Sequence, residues 1–356
     1  MIKKIIIDRI KKNNKAISLQ EFINICLFDK KGYYKNSNPI GKSGDFITSP
    51  EISQLFGEII GIYIYYFWKT KINKNINLIE LGPGNGTLFM DILRITSKLK
   101  DFHNNIEIHL IEKNSRLKQK QKINFYNNKF NKININWHES LSQFNKKPAI
   151  IFANEFFDCF PIRQFKKTNN IWEEKYIKYD EKNNRFSYEY ISIRDKKLNN
   201  FLEINQNNEL VEVSEERIDY FKRVCEYVHK VSGMIIIIDY GYLKFPGYFT
   251  LQSINNHRNS NPLDNIGNQD ITSLVNFSEF IKIALNTNLK IENYCTQKEF
   301  LIANGINERK NKLLENLDKN QKKEFELGFE RLINEKNMGS IFKFLIISKD
   351  TNNDNF

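Results

Sequence analysis

Leu78-Ile79-Glu80-Leu81-Gly82-Pro83-Gly84-Asn85-Gly86-Thr87 is the stretch whose reading decides the fold. Ile76–Leu81 is a short apolar run that reads as a buried strand. A glycine turn follows, then a helix from about Thr87 to Leu99. Glycines at such a turn let the backbone approach a ligand closely, and the helix N-terminus behind them favours negative charge. The spacing is G-x-G-x-G, which departs from the G-x-G-x-x-G of dinucleotide sites. It is also not a P-loop. Gly41-Lys42-Ser43 mimics the end of that motif, but the position five before Gly41 is Asn36.

Working outward, Ile106–Glu112 reads as a second strand, Ile133–Trp137 as a third, Ala149–Ala153 as a fourth and Met234–Tyr240 as a fifth. Strands separated by helical segments mean β-α-β units and a parallel sheet covered on both faces. A helix around Glu308–Glu335 and a strand at Ile341–Ser348 close the chain. The predicted fold class is α/β, a doubly wound Rossmann-like sheet with one antiparallel strand near the C-terminus. Upstream, Ser18 and Glu21 form a capping-box pattern. Ser49-Pro50-Glu51 opens a helix whose apolar positions recur from Ile52 to Trp68. Residues 1–70 are therefore read as a helical cap and 71–356 as the α/β domain. An α+β insert is placed at about 162–232, with a hairpin over Phe165–Ile193 and a helix near Arg217–Val231.

Two acids frame the glycine turn. Glu80 ends the first strand and Glu112 ends the second. A carboxylate at the end of the second strand can hold both hydroxyls of a ribose, and one beside the glycines can orient a cationic amino acid group. That pairing suits S-adenosylmethionine, which carries an adenosine, a sulfonium and an amino acid but no phosphate. In dinucleotide sites the acid comes roughly 20 residues on, whereas Glu112 stands 112 − 86 = 26 residues after Gly86. A nucleotide enzyme and a purely structural turn are the rival readings.

Composition narrows the class. The chain has 356 residues, 40% hydrophobic and 27% charged, the balance of an ordinary folded protein. No apolar run approaches the ~18–20 residues that a spanning helix needs, so no membrane insertion is expected. Lys+Arg of 54 against Asp+Glu of 42 gives a net charge of +12. The lysines are spread from end to end, so the charge is read as compositional bias, with nucleic acid disfavoured as a partner. Cys26, Cys159, Cys225 and Cys295 form no C-x-x-C pair, so neither zinc nor a disulfide framework is expected. With no signal-peptide pattern at the N-terminus, the expected location is cytoplasmic.

The chain resembles the MidA family of S-adenosylmethionine-dependent methyltransferases, from about Gly32 to the last strand. The resemblance is carried by Gly44-Asp45-Phe46-Ile47-Thr48-Ser49-Pro50-Glu51-Ile52 with Phe56-Gly57-Glu58, by Glu80 to Leu88, and by Asn154-Glu155-Phe156-Phe157-Asp158-Cys159-Phe160-Pro161. Asp239-Tyr240-Gly241, Asp270-Ile271-Thr272 with Asn276-Phe277, and Met338-Gly339 with Phe342-Lys343 complete it. Cys159-Phe160 stands where Ala-Leu is usual, Asn85 where Arg is common, and Asn265-Ile266-Gly267 where Pro-Gly is usual. The family includes a mitochondrial protein-arginine methyltransferase that assists respiratory complex I assembly. The resemblance thus implies an enzyme that methylates a protein arginine, with a complex I subunit as one substrate. Methylation of a nucleic acid or small molecule, and a non-catalytic donor-binding assembly factor, stay open beside it.

Site residues follow. Glu80, Gly82, Gly84, Gly86, Glu112, Asn154 and Asp45 are expected to hold S-adenosyl-L-methionine, with Asp45-Phe46 as a lid. Ligands of open parallel sheets sit past the carboxyl ends of the strands, which puts Glu155 and Asp158 in reach of the acceptor. Carboxylates there could bind a guanidinium bidentately, with Glu212 as a second clamp. Asp158 could instead cap a following helix. Nucleic-acid amino-methyltransferases place prolines at this strand end, and Asn154–Phe157 has none. His257 is the candidate general base in a polar loop. Asp239 should also face the cleft, and Trp137 is read as adenine contact or core aromatic. No metal is expected, and oligomeric state is open.

Overall fold

Ile76–Leu81 (β1) is buried at every position, Asn77 and Glu80 included, as a strand in the interior of a parallel sheet is. Along the chain come Ile106–Ile111 (β2), Ile135–His138 (β3), Ala149–Asn154 (β4), Gly233–Tyr242 (β5), Lys290–Thr296 (β6) and Phe342–Lys349 (β7). In space they run β6-β7-β5-β4-β1-β2-β3. β1 pairs in parallel with both β2 and β4, β2 with β3, and β4 with β5. β7 is antiparallel to both β5 and β6. The strand order therefore reverses at β1, which makes the gap beyond β1 a topological switch point. The computed structural model describes residues 1–350 except 14, 37–40, 42–46, 131–132, 142–146, 205–208, 256 and 316.

Three elements differ from the sequence expectation. β6, Lys-Ile-Glu-Asn-Tyr-Cys-Thr over 290–296, carries too few apolar residues to announce a strand. It is an edge strand with a bulge between Ile291 and Asn293, so only its neighbour β7 demands order of it. The helix expected from Ser49 to Trp68 breaks at Ser53, whose extended backbone (φ −156°) makes it the cap of a new helix, Gln54–Phe67. The helix expected at Glu308–Glu335 is likewise two helices, Ile306–Leu314 and Lys319–Ile333. Asp318 restarts the second by a capping box with Gln321.

The chain divides into two compact units. One comprises residues 1–46, 158–220 and 242–276, the other 47–157, 221–241 and 277–356. The expected cap at 1–70 is thus divided: 47–70 belongs with the main sheet. The reason lies in Gln54–Phe67, which buries Leu55, Phe56, Ile59, Ile60 and Ile64 and packs along the helix Thr87–Thr96. Gly57 and Gly61 let the two helices approach. A Cβ on Gly57 would stand 2.5 Å from Asp91 Cβ, and one on Gly61 would stand 3.0 Å from Ile92 Cα. Gly57→Ala is therefore expected to destabilise the protein by about 1–3 kcal/mol through overpacking, measured as a fall in thermal midpoint. An unchanged or raised midpoint would contradict this packing.

The other unit carries the expected hairpin, but as three strands. Asn169 (φ 48°) and Asn170 (φ 63°) turn Arg163–Thr168 into Ile171–Asp180, which then pairs with Arg185–Ser192. Two consecutive left-handed asparagines are the geometry of a tight hairpin turn. Ala16–Ser18 and Leu210–Val213 complete this sheet. Among the described residues no helix is long and apolar enough to cross a membrane.

Candidate functional site

Everything at the switch point is set by register. Leu81 lies level with Ile111 on one side and Ala153 on the other. The residues one step further, Gly82, Glu112 and Asn154, therefore share the carboxyl edge of three adjacent strands. Main-chain bonds extend the ladder past the strand ends: Gly82 N donates to Ile111 O (3.0 Å), Glu112 N to His138 O (2.9 Å) and Glu155 N to Ile238 O (2.9 Å).

The glycine turn uses left-handed backbone three times, at Gly82 (φ 63°), Gly84 (φ 55°) and Gly86 (φ 79°). Side chains are excluded at Gly82 on a second ground. A Cβ there would lie 2.6 Å from the ring of Phe156, which packs directly on the turn. The turn is also held from outside. Asn85 Nδ2 and Thr87 Oγ1 both donate to Glu51 Oε1, at 3.0 and 2.6 Å. Asn124 Nδ2 donates to Asn85 O (2.9 Å) and Gln121 Nε2 to Gly84 O (2.9 Å).

Glu80 is 2% exposed, and burial pushes its carboxyl well above the usual carboxylate range. Its Oε2 is buried and has no hydrogen-bond partner among the described residues, and the same holds for Asn154 Oδ1. Buried oxygens are normally paired. Two orphaned acceptors near the carboxyl edge of adjacent strands fit a ligand ammonium, which brings three donors. Glu112 is partly buried, and burial raises its carboxyl too. Its Oε1 accepts from Asn114 N at 2.7 Å. Trp137 is half-buried, with its ring edge-on to Phe125, so its core role is the one visible.

Glu155 has φ 49°, a left-handed conformation that a glutamate adopts only under constraint. The constraint is Asp239. Its Oδ2 accepts from Phe157 N (3.0 Å) and its Oδ1 from Tyr240 N (3.0 Å), pinning the turn after β4 to the end of β5. Phe157 anchors the turn below, packed on Phe221 and Phe280. Asn154 Nδ2 donates to Glu155 Oε1 at 3.1 Å. Asp239 therefore acts as the strut of the Glu155 turn.

The remaining expected residues fall elsewhere. Asp158 begins the other unit. It lies in a turn, no helix follows it to be capped, and its carbonyl accepts from Ser273 N (3.0 Å). His257 is in that unit too, exposed at the tip of the turn between Gln252–Asn255 and Arg258–Ser260. Among the described residues no buried partner of the kind a general base needs is shown for it. Glu212 is occupied as a brace: it accepts from Gln164 Nε2 (2.7 Å), from Thr250 N (3.0 Å) and from Thr250 Oγ1. Asp45 and Phe46 lie outside the described residues. Among the described residues no group of three or more His, Cys, Asp or Glu is placed to hold a metal.

Sequence reasoning missed Gln121, Asn124 and the role of Glu51. A clue existed for Gln121. On the basic helix Ser115–Asn127 the inward positions are Leu117, Gln121 and Phe125, so a polar residue interrupts the apolar stripe.

Residues 59–295 match the family model described as "Putative S-adenosyl-L-methionine-dependent methyltransferase". The chain is 30% identical to "Protein arginine methyltransferase NDUFAF7, mitochondrial" of Danio rerio, over 93% of this chain and 83% of that protein. It is 28% identical to the protein of that name from Homo sapiens, over 94% of this chain and 81% of that one. A Burkholderia thailandensis protein crystallised with S-adenosyl-homocysteine matches with a TM-score of 0.83 at 20% identity, covering 98% of this chain and 92% of that one. That last likeness is one of fold. With a family model along about two thirds of its length and relatives along nearly all of it, this chain belongs to the S-adenosyl-L-methionine-dependent methyltransferase family.

Proposed function

We propose that the enzyme methylates an arginine side chain of a protein, with Glu155 as the acceptor's carboxylate. The observation that carries this is the strained Glu155 turn beside the glycine loop, a carboxylate held where the switch point opens. The relatives named protein arginine methyltransferases support the choice of acceptor. A respiratory complex I subunit is the substrate that the family resemblance implies.

When bound, S-adenosyl-L-methionine supplies an electrophilic methyl on its sulfonium. Glu80 and Asn154 would hold its amino acid group, the glycine turn would let it lie close to the backbone, and Glu112 would take its ribose hydroxyls. Glu155 would accept two parallel N–H bonds from the guanidinium, which orients one nitrogen and holds positive charge at the site. Glu155 would also hold the proton that this nitrogen gives up. His257, exposed at the tip of its turn, is left out of this assignment, and Glu155 is preferred to Asp158 because the left-handed strain lies at Glu155. The four free thiols support a reducing, cytoplasm-like location.

The test is methyl transfer from labelled donor into a cell extract, followed by acid hydrolysis. Label in methylarginine is the expected result. Label confined to RNA or to small molecules would overturn the acceptor, and no label in any fraction would overturn the activity.

A further inference from the structure

We propose that Gln121 is a positioning residue for the methyl donor, its one buried amide locking the glycine turn, the Glu112 carboxylate and the Trp137 indole into a single arrangement. This rests on the reading that the glycine turn and Glu112 hold the donor. Gln121 is fully buried. Its Nε2 donates to Gly84 O at 2.9 Å and reaches Glu112 Oε2 at 3.5 Å. Its Oε1 accepts from Trp137 Nε1 at 2.8 Å.

The orientation of this amide is forced. An indole N–H is a donor only, so the atom facing it must be the amide oxygen. The NH2 group then points towards Gly84 and Glu112, which both present acceptors. A flipped amide would set donor against donor at Trp137 and oxygen against two oxygens on the other side, all in a buried place where unmade hydrogen bonds are costly. Glu112 is thus held from both ends, Oε1 by Asn114 N at 2.7 Å and Oε2 by the longer contact with Gln121. Gly84, at the left-handed crest of the turn, is tied to the same side chain. One residue on the helix Ser115–Asn127 therefore couples the two parts of the site expected to meet opposite ends of the donor.

Four variants test this with calorimetry of S-adenosylhomocysteine binding and with tryptophan fluorescence. Gln121→Leu keeps the size and removes all three contacts. It is expected to weaken binding about 10- to 100-fold, to raise the donor KM, and to leave kcat at saturating donor within about threefold. Trp137 emission should shift to shorter wavelength as the indole loses its polar partner, a change that Trp137→Phe identifies by its absence. Gln121→Glu keeps the acceptor for Trp137 but cannot donate to Gly84 when ionised, and sets a second carboxylate beside Glu112. It should bind as weakly, with wild-type emission, and it decides the matter if Gln121→Leu does not fold. Affinity within twofold of wild type in either folded variant overturns the proposal. Glu112→Ala separates the two levels: wild-type affinity there overturns the donor-site reading and this proposal with it. Loss in Glu112→Ala beside wild-type affinity in the Gln121 variants overturns this proposal alone.

Discussion

Glu155→Gln is expected to bind the methyl donor normally and to lose methyl transfer by about 10²–10³-fold. Gln keeps the shape and still accepts from Asn154 Nδ2, so the 3.1 Å contact and the turn should survive. What disappears is the negative charge that faces a guanidinium and takes its proton. S-adenosylhomocysteine affinity by calorimetry and kcat by label transfer measure the two effects separately. A Glu155→Gln enzyme with kcat near wild type would sink the assignment. A companion variant exploits the strain at φ 49°. Glu155→Gly should gain about 1 kcal/mol of stability by relieving that conformation, while losing activity like Glu155→Gln. Stability gained as activity is lost marks a residue kept for chemistry.

The second large effect is at Glu80. Burial raises its carboxyl well above the ordinary range, so between that range and the raised folded pKa the donor-free protein holds a proton there that the unfolded chain releases. The sign follows. The folded pKa lies above the unfolded one, so the contribution to stability is fully present below the ordinary carboxylate range. It is lost as pH rises through the folded pKa. Binding an ammonium reverses this, because the pair is favourable only with Glu80 ionised. Donor affinity should therefore rise with pH up to the folded pKa of Glu80, and each donor bound below it should release a proton. Calorimetry in buffers of different ionisation enthalpy counts that proton. Glu80→Gln should abolish the release and weaken binding by about 30-fold or more, about 2 kcal/mol for removing one partner of a buried charged pair. Proton release that persists in Glu80→Gln, or an affinity that the substitution leaves unchanged, would show that the buried carboxyl does not meet the ligand's charge.

Much of the fold was legible because the relevant signals are local. β1, β2, β4 and β5 are rich in apolar residues, Ile above all, and bounded by turns, and each strand lies within a residue or two of its expected place. The edge strand β6 was not legible. Its order comes from β7, and nothing in Lys-Ile-Glu-Asn-Tyr-Cys-Thr asks for a partner. The helix breaks at Ser53 and Asp318 were visible as capping residues only after the fact, since apolar periodicity runs through both.

The site divides in the same way. The residues that would meet the donor stand at strand ends and in a glycine turn, where backbone demands restrict the residue type. Sequence by itself therefore determined the α/β class, the G-x-G-x-G cradle, and Glu80 and Glu112 as its framing acids. Only the tertiary structure could decide how these are held. Glu51 reaches Asn85, Gln121 reaches Gly84 and Asp239 reaches Phe157 across 34, 37 and 82 positions of chain, and side-chain contacts at such separations leave no periodic trace. Tertiary structure also decided that Glu212 acts as a brace and that His257 is a surface residue. A carboxylate or imidazole in a polar loop looks the same in sequence whether it braces the backbone, meets solvent or awaits a substrate; its neighbours in space make the difference.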